Sequence, residues 1–322
     1  MKTQLIGSTL ALLLGMGLAQ AQTVLNLGYV GGPAAPEAIG MAQFAEEIGA
    51  RTEGRYKIQL QGAGALGGDR DVVEGVQLGT IEMTVVSTSV VANFAPDFAV
   101  FDVPFLFRDF DHAQAVLDGE VGAEILGTLP NAGFVGLAAG GIGFRQLTNN
   151  VRPVSTVADV AGLKIRTQQN ELHLKAWEAL GALPTPMAVT EVYSALQQGV
   201  VDGQENPVGA IINNRFGEVQ KYMSITNHAF TPIVLLVNPG VFDKLSDADK
   251  AVFREAAAKA MARTKEEVGK VQETGLDTLR GIGVQILTEV DGKSFQDKLE
   301  PMFAELTERF GKRLDAIRSV GQ

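Results

Sequence analysis

Arg166 is the residue whose type and position best suit a binding group. It ends the run Asp159-Val160-Ala161-Gly162-Leu163-Lys164-Ile165-Arg166. Leu163 to Thr167 reads as a strand with Leu163, Ile165 and Thr167 on one face and Lys164 and Arg166 on the other. Arg166 then stands at the strand's carboxyl end, where open α/β sheets bind their ligands. A guanidinium fork matches a carboxylate with two parallel hydrogen bonds. A bond of that charged kind contributes about 1.5–3 kcal/mol. The plain alternative is a solvated strand arginine. Downstream, Asp202-Gly203-Gln204-Glu205-Asn206-Pro207 supplies a polar side chain, Asn206, expected to face Arg166 across a cleft.

Other chemistries find little support. Gly62 to Gly67 fits G-x-G-x-x-G between an expected strand and an expected helix, which gives a dinucleotide site a foothold. The unit is the second strand rather than the first, however, and the next strand ends at Ser87 with no acidic residue there. His112, His173 and His228 stand far apart, with no pair at metal-ligand spacing, so each is expected on the surface or in a structural hydrogen bond; only His228 is placed near a site. No G-x-S-x-G elbow occurs, and no nucleophile has an evident base. The chain has no cysteine, which excludes thiolate catalysis, disulfides and cysteine-bound zinc or iron–sulfur centres. No cofactor and no metal are expected, and nothing reads as catalytic.

The elements that must carry Arg166 follow from periodicity. The chain is 322 residues long, 46% hydrophobic and 20% charged, which suits a packed protein of two domains or one large one. Lys2, an uncharged apolar run from Leu5 to Leu18 and Ala19-Gln20-Ala21 read as a secretory signal cleaved after Ala21. The run is shorter than the ~20 residues needed to span a bilayer. Without Lys2 the charge is 26 − 37 = −11, which argues against nucleic acid as a partner. Expected strands at 23–29, 56–61 and 81–87 alternate with helices at 36–53 and 69–79, which implies an α/β fold. The phenylalanines from Phe94 to Phe110 are expected to line a core. Residues 110–129 read as helical, and 134–139 and 144–147 as two strands parted by Gly140-Gly141-Ile142-Gly143.

The theme then recurs. A helix at 171–180 and an extended stretch at 183–187 precede a further helix, with Thr190 as its expected N-cap and Gly199 as its stop. Asp71 to Glu82 aligns without gaps on Glu191 to Asp202, which suggests two similar lobes. Ser246-Asp247-Ala248-Asp249 is a capping-box pattern opening a helix to about Arg280, long enough to bridge both. A strand at 283–287 and an amphipathic helix at 294–317 close the chain.

Several of these stretches together resemble the DctP-type solute-binding proteins of tripartite ATP-independent periplasmic (TRAP) transporters. They are Asp159 to Arg166, Leu180-Gly181-Ala182 with Pro184, Pro186 and Met187, and Glu191-Val192-Tyr193 with Ala195-Leu196-Gln197. Val201 to Pro207, Leu66 to Arg70 and Phe101 to Phe107 complete the set, which spans essentially the whole mature chain. The resemblance implies a two-lobed fold with crossing hinge strands and a long bridging helix, closing on a ligand like a flytrap. It implies lobe I at 22–142 plus 231–270, and lobe II at 143–230 plus 271–322. It implies a periplasmic receptor for a small organic acid (a sugar acid such as a uronate or aldonate, or a C4-dicarboxylate), handed to a permease driven by a sodium gradient. In this reading Arg166 is the main carboxylate clamp, Arg145 its second basic partner and Asn206 a polar contact. Asp69 and Arg70 reach in from the other lobe. Ser87 and Val189 stand where sialic-acid binders carry a glutamate and an aromatic, which argues for a smaller acid. A monomer and a homodimer are both compatible with it. An exported enzyme acting on a carboxylate and a sensory binding protein are the competing classes.

Overall fold

The repeated strand–helix pattern folds as two open α/β sheets that share one long strand. The computed structural model describes residues 22–321, so the expected signal segment lies outside the described residues. β1 (Thr23–Gly28) leads to α1 (Pro36–Arg51), β2 (Tyr56–Gln61), α2 (Asp69–Leu78) and β3 (Met83–Ser87). The three strands are parallel, with β1 in the middle. α2 stops at Gly79, whose φ of 77° is the left-handed cap that glycine adopts without strain. α3 (Thr88–Val91) follows β3 at once, and a 3-10 helix at Pro96–Asp102 carries Phe98 and Phe101 into the core. The aromatic run is core, as expected: Phe107 packs against both Phe101 and Phe230. The helical stretch expected at 110–129 is divided by Gly119 into α4 (Phe110–Asp118) and α5 (Glu120–Leu126).

The two strands expected at 134–147 form one strand, β4 (Val135–Asn149), 15 residues long. The four-residue interruption is a bulge, not a break. Register slips between Gly141 and Phe144, with Gly143 at φ 113°, after which the ladder resumes. The bulge lets β4 leave the first sheet and enter the second.

The second sheet takes β5 (Lys164–Thr167), α6 (Glu171–Ala179), β6 (Leu183–Pro186), α7 (Val189–Gln197), β7 (Gly203–Pro207), α8 (Val208–Asn213) and β8 (Tyr222–Ser224). α7 begins one residue before the expected cap. Ala188 holds the cap position, and Thr190 lies inside the helix. Gly199 ends this unit with φ 71°, in parallel with Gly79. β9 (Phe230–Val237) returns antiparallel to both β3 and β4. After α9 (Pro239–Phe242) comes α10 (Asp247–Gly281), capped as expected by Ser246 Oγ accepting the Asp249 N–H at 3.1 Å. β10 (Gln285–Leu287) pairs with β8, and α11 (Gly292–Lys298) and α12 (Glu300–Ser319) end the chain.

The strand order is β2-β1-β3-β9-β4-β7-β5-β6, with β8 also beside β4 and β10 beside β8. α10 lies along both parts, packing on α1 and β4 on one side and α8 on the other. One difference concerns the C-terminal segment, expected with the second lobe. α12 also packs on first-lobe elements: Arg313 pairs with Asp97 and Glu124, and Ile317 O meets His112 Nε2 at 2.9 Å. The apolar stripe Leu306, Phe310, Leu314, Ile317 covers the aromatic core, which draws the helix across.

Candidate binding cleft

The carboxyl ends of β1, β3, β5 and β7 converge on one cavity. It holds about 740 Å³ of empty space, its mouth included. Arg166, Gln168, Asn206 and Arg145 line it from the second sheet, and Asp69, Ser87, Glu37 and Tyr29 from the first. The two sides already touch. The loop at 62–68 lies so close to α7 that a Cβ on Gly64 would collide with the Thr190 methyl. Asn93 Nδ2, after β3 and α3, donates to Gln169 O, after β5, at 2.8 Å.

β5 orients Arg166 as alternation requires, and the side chain is 2% exposed. Its Nε and Nη2 both donate to Met187 O, at 2.9 and 2.6 Å. Its Nη1 has no partner among the described residues, although it is buried. Burial, and then the neighbouring Arg145, push its pKa down to about 10, while Glu205, Asp69 and Glu191 pull the other way. The group remains a cation at neutral pH. A buried guanidinium with one free N–H pair on a cavity is poised for an anion, because an unmade charged hydrogen bond there is costly.

Arg145 is differently placed. It is 1% exposed and its fork is occupied. Nε and Nη2 bind the Glu205 carboxylate, Nη1 donates to Thr231 Oγ1 at 3.0 Å, and Nη2 reaches Asn206 Oδ1 at 3.2 Å. Glu205 also accepts from His228 Nε2 at 2.9 Å. Burial would raise the Glu205 pKa, but Arg145, then His173 and His228, hold it well below the carboxylate range. His173 lies between Glu205 and Asp102, with Nε2 3.5 Å from Asp102 Oδ1. That separation is an attraction between charges rather than a good hydrogen bond. Burial opposes the His173 charge, yet Asp102 and Glu205 outweigh it and raise the pKa to about 9. Burial lowers that of His228, against the pull of Glu205. Asp102 in turn accepts from Ser89 Oγ and Asn170 Nδ2, at 2.5 and 2.8 Å. A buried polar chain therefore runs behind the cleft from Arg145 to Ser89.

Most of the expected site residues meet in this cavity, with two corrections. Asn206 does not face Arg166 across the cleft. β7 is the parallel neighbour of β5, with Arg166 opposite Gln204, so both side chains rise from the same wall. Arg70 does not line the cavity. It is exposed, bonded to Glu74 one turn along α2 and lying 6.0 Å from the Phe94 ring, because successive residues at a helix start diverge by about 100°. Asp69, its neighbour, does enter the cavity, and so does Ser87, whose Oγ caps α3 by accepting the Ser89 N–H at 3.3 Å.

Sequence reasoning did not single out Glu37, Gln168 or Glu205, while His173 was expected on the surface or in a structural hydrogen bond and lies in the buried chain behind the cleft. Glu37 stands in the first turn of α1, against Gly31, where a Cβ would strike its Oε1. Burial, with Asp69 adding repulsion, pushes its pKa up to about 7. Burial pushes Asp69 up to about 6, against the lowering pull of Arg166 and Arg145. Gln168 Oε1 is buried without a partner among the described residues.

The family model described as "Bacterial extracellular solute-binding protein, family 7" (DctP) matches residues 27–309. Among solved structures, a TRAP periplasmic solute-binding protein from a Polaromonas species, bound to D-erythronate, is similar at TM-score 0.92 and 41% identity, over 94% of this chain and 100% of that one. The sugar acid binding protein DctPAm from Advenella mimigardefordensis, in complex with galactonate, is similar at TM-score 0.89 and 35% identity, over 93% and 99%. The 2,3-diketo-L-gulonate-binding periplasmic protein YiaO of Escherichia coli is 35% identical over 85% of this chain and 84% of its own length. With the family matched over nearly the whole described chain, on a fold of the same two-lobed kind, this protein belongs to the bacterial extracellular solute-binding proteins of family 7, the DctP-type receptors of TRAP transporters.

Proposed function

We propose that this protein captures a small organic acid, a sugar acid or a C4-dicarboxylate, and delivers it to a TRAP permease for uptake driven by a sodium gradient. The observation that carries the reading is the free Nη1 of Arg166, buried on the wall of a two-sided cavity. The ligand carboxylate binds there. Asn206, held through its Oδ1 by Arg145 and donating one Nδ2 hydrogen to Gln204 Oε1, has its second amide hydrogen for the ligand. Because Glu205 occupies the Arg145 fork, Arg145 positions Asn206 and adds field rather than forming a second open clamp. Asp69 and Ser87 meet the ligand from the opposite lobe. The relatives above that bind D-erythronate, galactonate and 2,3-diketo-L-gulonate support an acid of this size.

Closure follows from the two-sided site. A ligand that touches both lobes favours the closed state over the open one, and expelling water strengthens its ion pair with Arg166. In the proposed division, lobe I is 22–142 with 231–270, and lobe II is 143–230 with 271–322, whose α12 leans onto lobe I. The proposed route is export to the periplasm with cleavage after Ala21 and no turnover of the ligand. Among the described residues no helix is long and apolar enough to cross a membrane.

Arg166→Ala tests the clamp. Thermal stabilisation by a bound acid is expected to vanish, with the far-UV spectrum unchanged. Stabilisation that survives the substitution refutes the assignment.

A further inference from the structure

Two acids face Arg166 from the other side of the cleft. Glu37 and Asp69 line the cavity from the starts of α1 and α2. The basic residues lining it are Arg145 and Arg166, both from the second sheet. Glu205 already neutralises Arg145. The cavity therefore offers one cation without an ion pair among the described residues on its second-sheet side, and two carboxylates on its first-sheet side. Neither carboxylate forms an ion pair or takes a hydrogen bond from another residue's side chain among the described residues, and both stay partly open to the cavity.

Above about pH 7 both side chains are ionised, and an ionised carboxylate is an acceptor only, with room for several donors. A hydroxyl supplies such a donor. A second carboxylate on the ligand supplies none when ionised and meets like charge at close range. C4-dicarboxylates and polyhydroxy monocarboxylic acids both satisfy Arg166, and they differ on the first-sheet side. Gln168 Oε1, buried and without a partner on the same cavity, is a further acceptor awaiting a donor. The free Nη1 of Arg166 independently suits the cavity to an anionic ligand.

We infer that Glu37, acting with Asp69, is the specificity determinant of this cleft: it binds ligand hydroxyl groups and excludes a second carboxylate, so the ligand class is polyhydroxy monocarboxylic acids rather than C4-dicarboxylates. The inference rests on Arg166 holding the ligand carboxylate. Repulsion between like charges in the cleft rejects the wrong ligand, which discriminates more strongly than the loss of one apolar contact.

The experiment is calorimetric titration of the mature chain at pH 8 with D-erythronate, D-galactonate, succinate and L-malate, for wild type, Glu37→Gln, Asp69→Asn and Arg166→Ala. Each variant is checked first for a native circular-dichroism spectrum. In wild type at least one aldonate is expected to bind tenfold or more tightly than either dicarboxylate. Glu37→Gln is expected to weaken the aldonate about tenfold and to leave the dicarboxylates equal or tighter, closing the gap. Asp69→Asn moves the ratio in the same direction and covers the case in which the Glu37 variant fails to fold. Wild-type protein that binds succinate as tightly as the aldonates overturns the inference, as does a ratio unchanged in both acid variants. Binding retained by Arg166→Ala overturns the clamp instead, so the two failures are distinct.

Discussion

Replacing Glu37 by glutamine should stabilise the empty protein, and only above mildly acidic pH. The Glu37 pKa rises from 4.5 to about 7 in the folded chain, through burial first and the nearby Asp69 second. In that window the folded state binds a proton more tightly than the unfolded one, so stability falls as pH rises through it. The loss begins near the ordinary carboxylate value and is complete above about pH 7. At about 1.4 kcal/mol per unit, the ceiling is about 3 kcal/mol. Partial opening of the side chain to the cavity lowers it further.

A glutamine side chain at this position cannot ionise, so the variant escapes this penalty. For a chain of this length about 2 °C accompanies each kcal/mol. The Tm of Glu37→Gln should thus match wild type at pH 4 and exceed it by up to about 6 °C at pH 8, in ligand-free protein. Differential scanning calorimetry across that range reads it directly. A Tm difference that does not change with pH, or a variant less stable than wild type at pH 8, refutes the claim that Glu37 is held ionised at a cost. The expected gain fits a binding site, where stability is commonly given up for function.

Other consequences are as direct. Glu205→Gln leaves the buried Arg145 charge without its partner, and urea denaturation should show a loss of about 3–5 kcal/mol. Arg70→Ala should change neither ligand affinity beyond twofold nor stability beyond about 0.5 kcal/mol, since its polar bonding among the described residues is an exposed pair with Glu74. A tenfold loss of affinity would return Arg70 to the cleft. Asn93→Ala removes the 2.8 Å bond to Gln169 O between the two sides, and titration should show affinity reduced about two- to tenfold through a less stable closed state. An unchanged affinity would mean that this contact does not contribute to closure.

Local chemistry made much of the fold readable. The Ser246 cap, the stops at Gly79 and Gly199 and the alternation around Arg166 each depend on neighbours within one turn or strand. The bulge in β4 was not readable, because Gly140 to Gly143 can end a strand or bend one, and the choice rests on β9 lying alongside to continue the ladder. The crossing of α12 onto α5 depends likewise on Asp97 and Glu124, far away in the chain.

The site divides along the same line. Arg166 was found by the rule that ligands meet the carboxyl ends of strands. Glu37 obeys that rule equally: it follows β1 through Tyr29 and Gly31, as Asp69 follows β2. It was overlooked because an acid in a helix's first turn already has an ordinary explanation in the helix dipole. Two such acids, at the starts of two helices that open on one cavity, exceed that explanation, since the dipole favours each charge singly while their burial, and for Glu37 the nearby Asp69, raise both pKa values. Glu205 was hidden for the opposite reason. Nothing near it in sequence announces Arg145, and only the antiparallel pairing of β4 with β7 brings Pro207 opposite Arg145 and Glu205, on the same strand, into the guanidinium fork. That pairing separates the two arginines. With equal residue types and nearly equal burial, Arg145 is paired with Glu205 from the strand beside it, and Arg166, whose partner on that strand is Gln204, has no ion pair among the described residues.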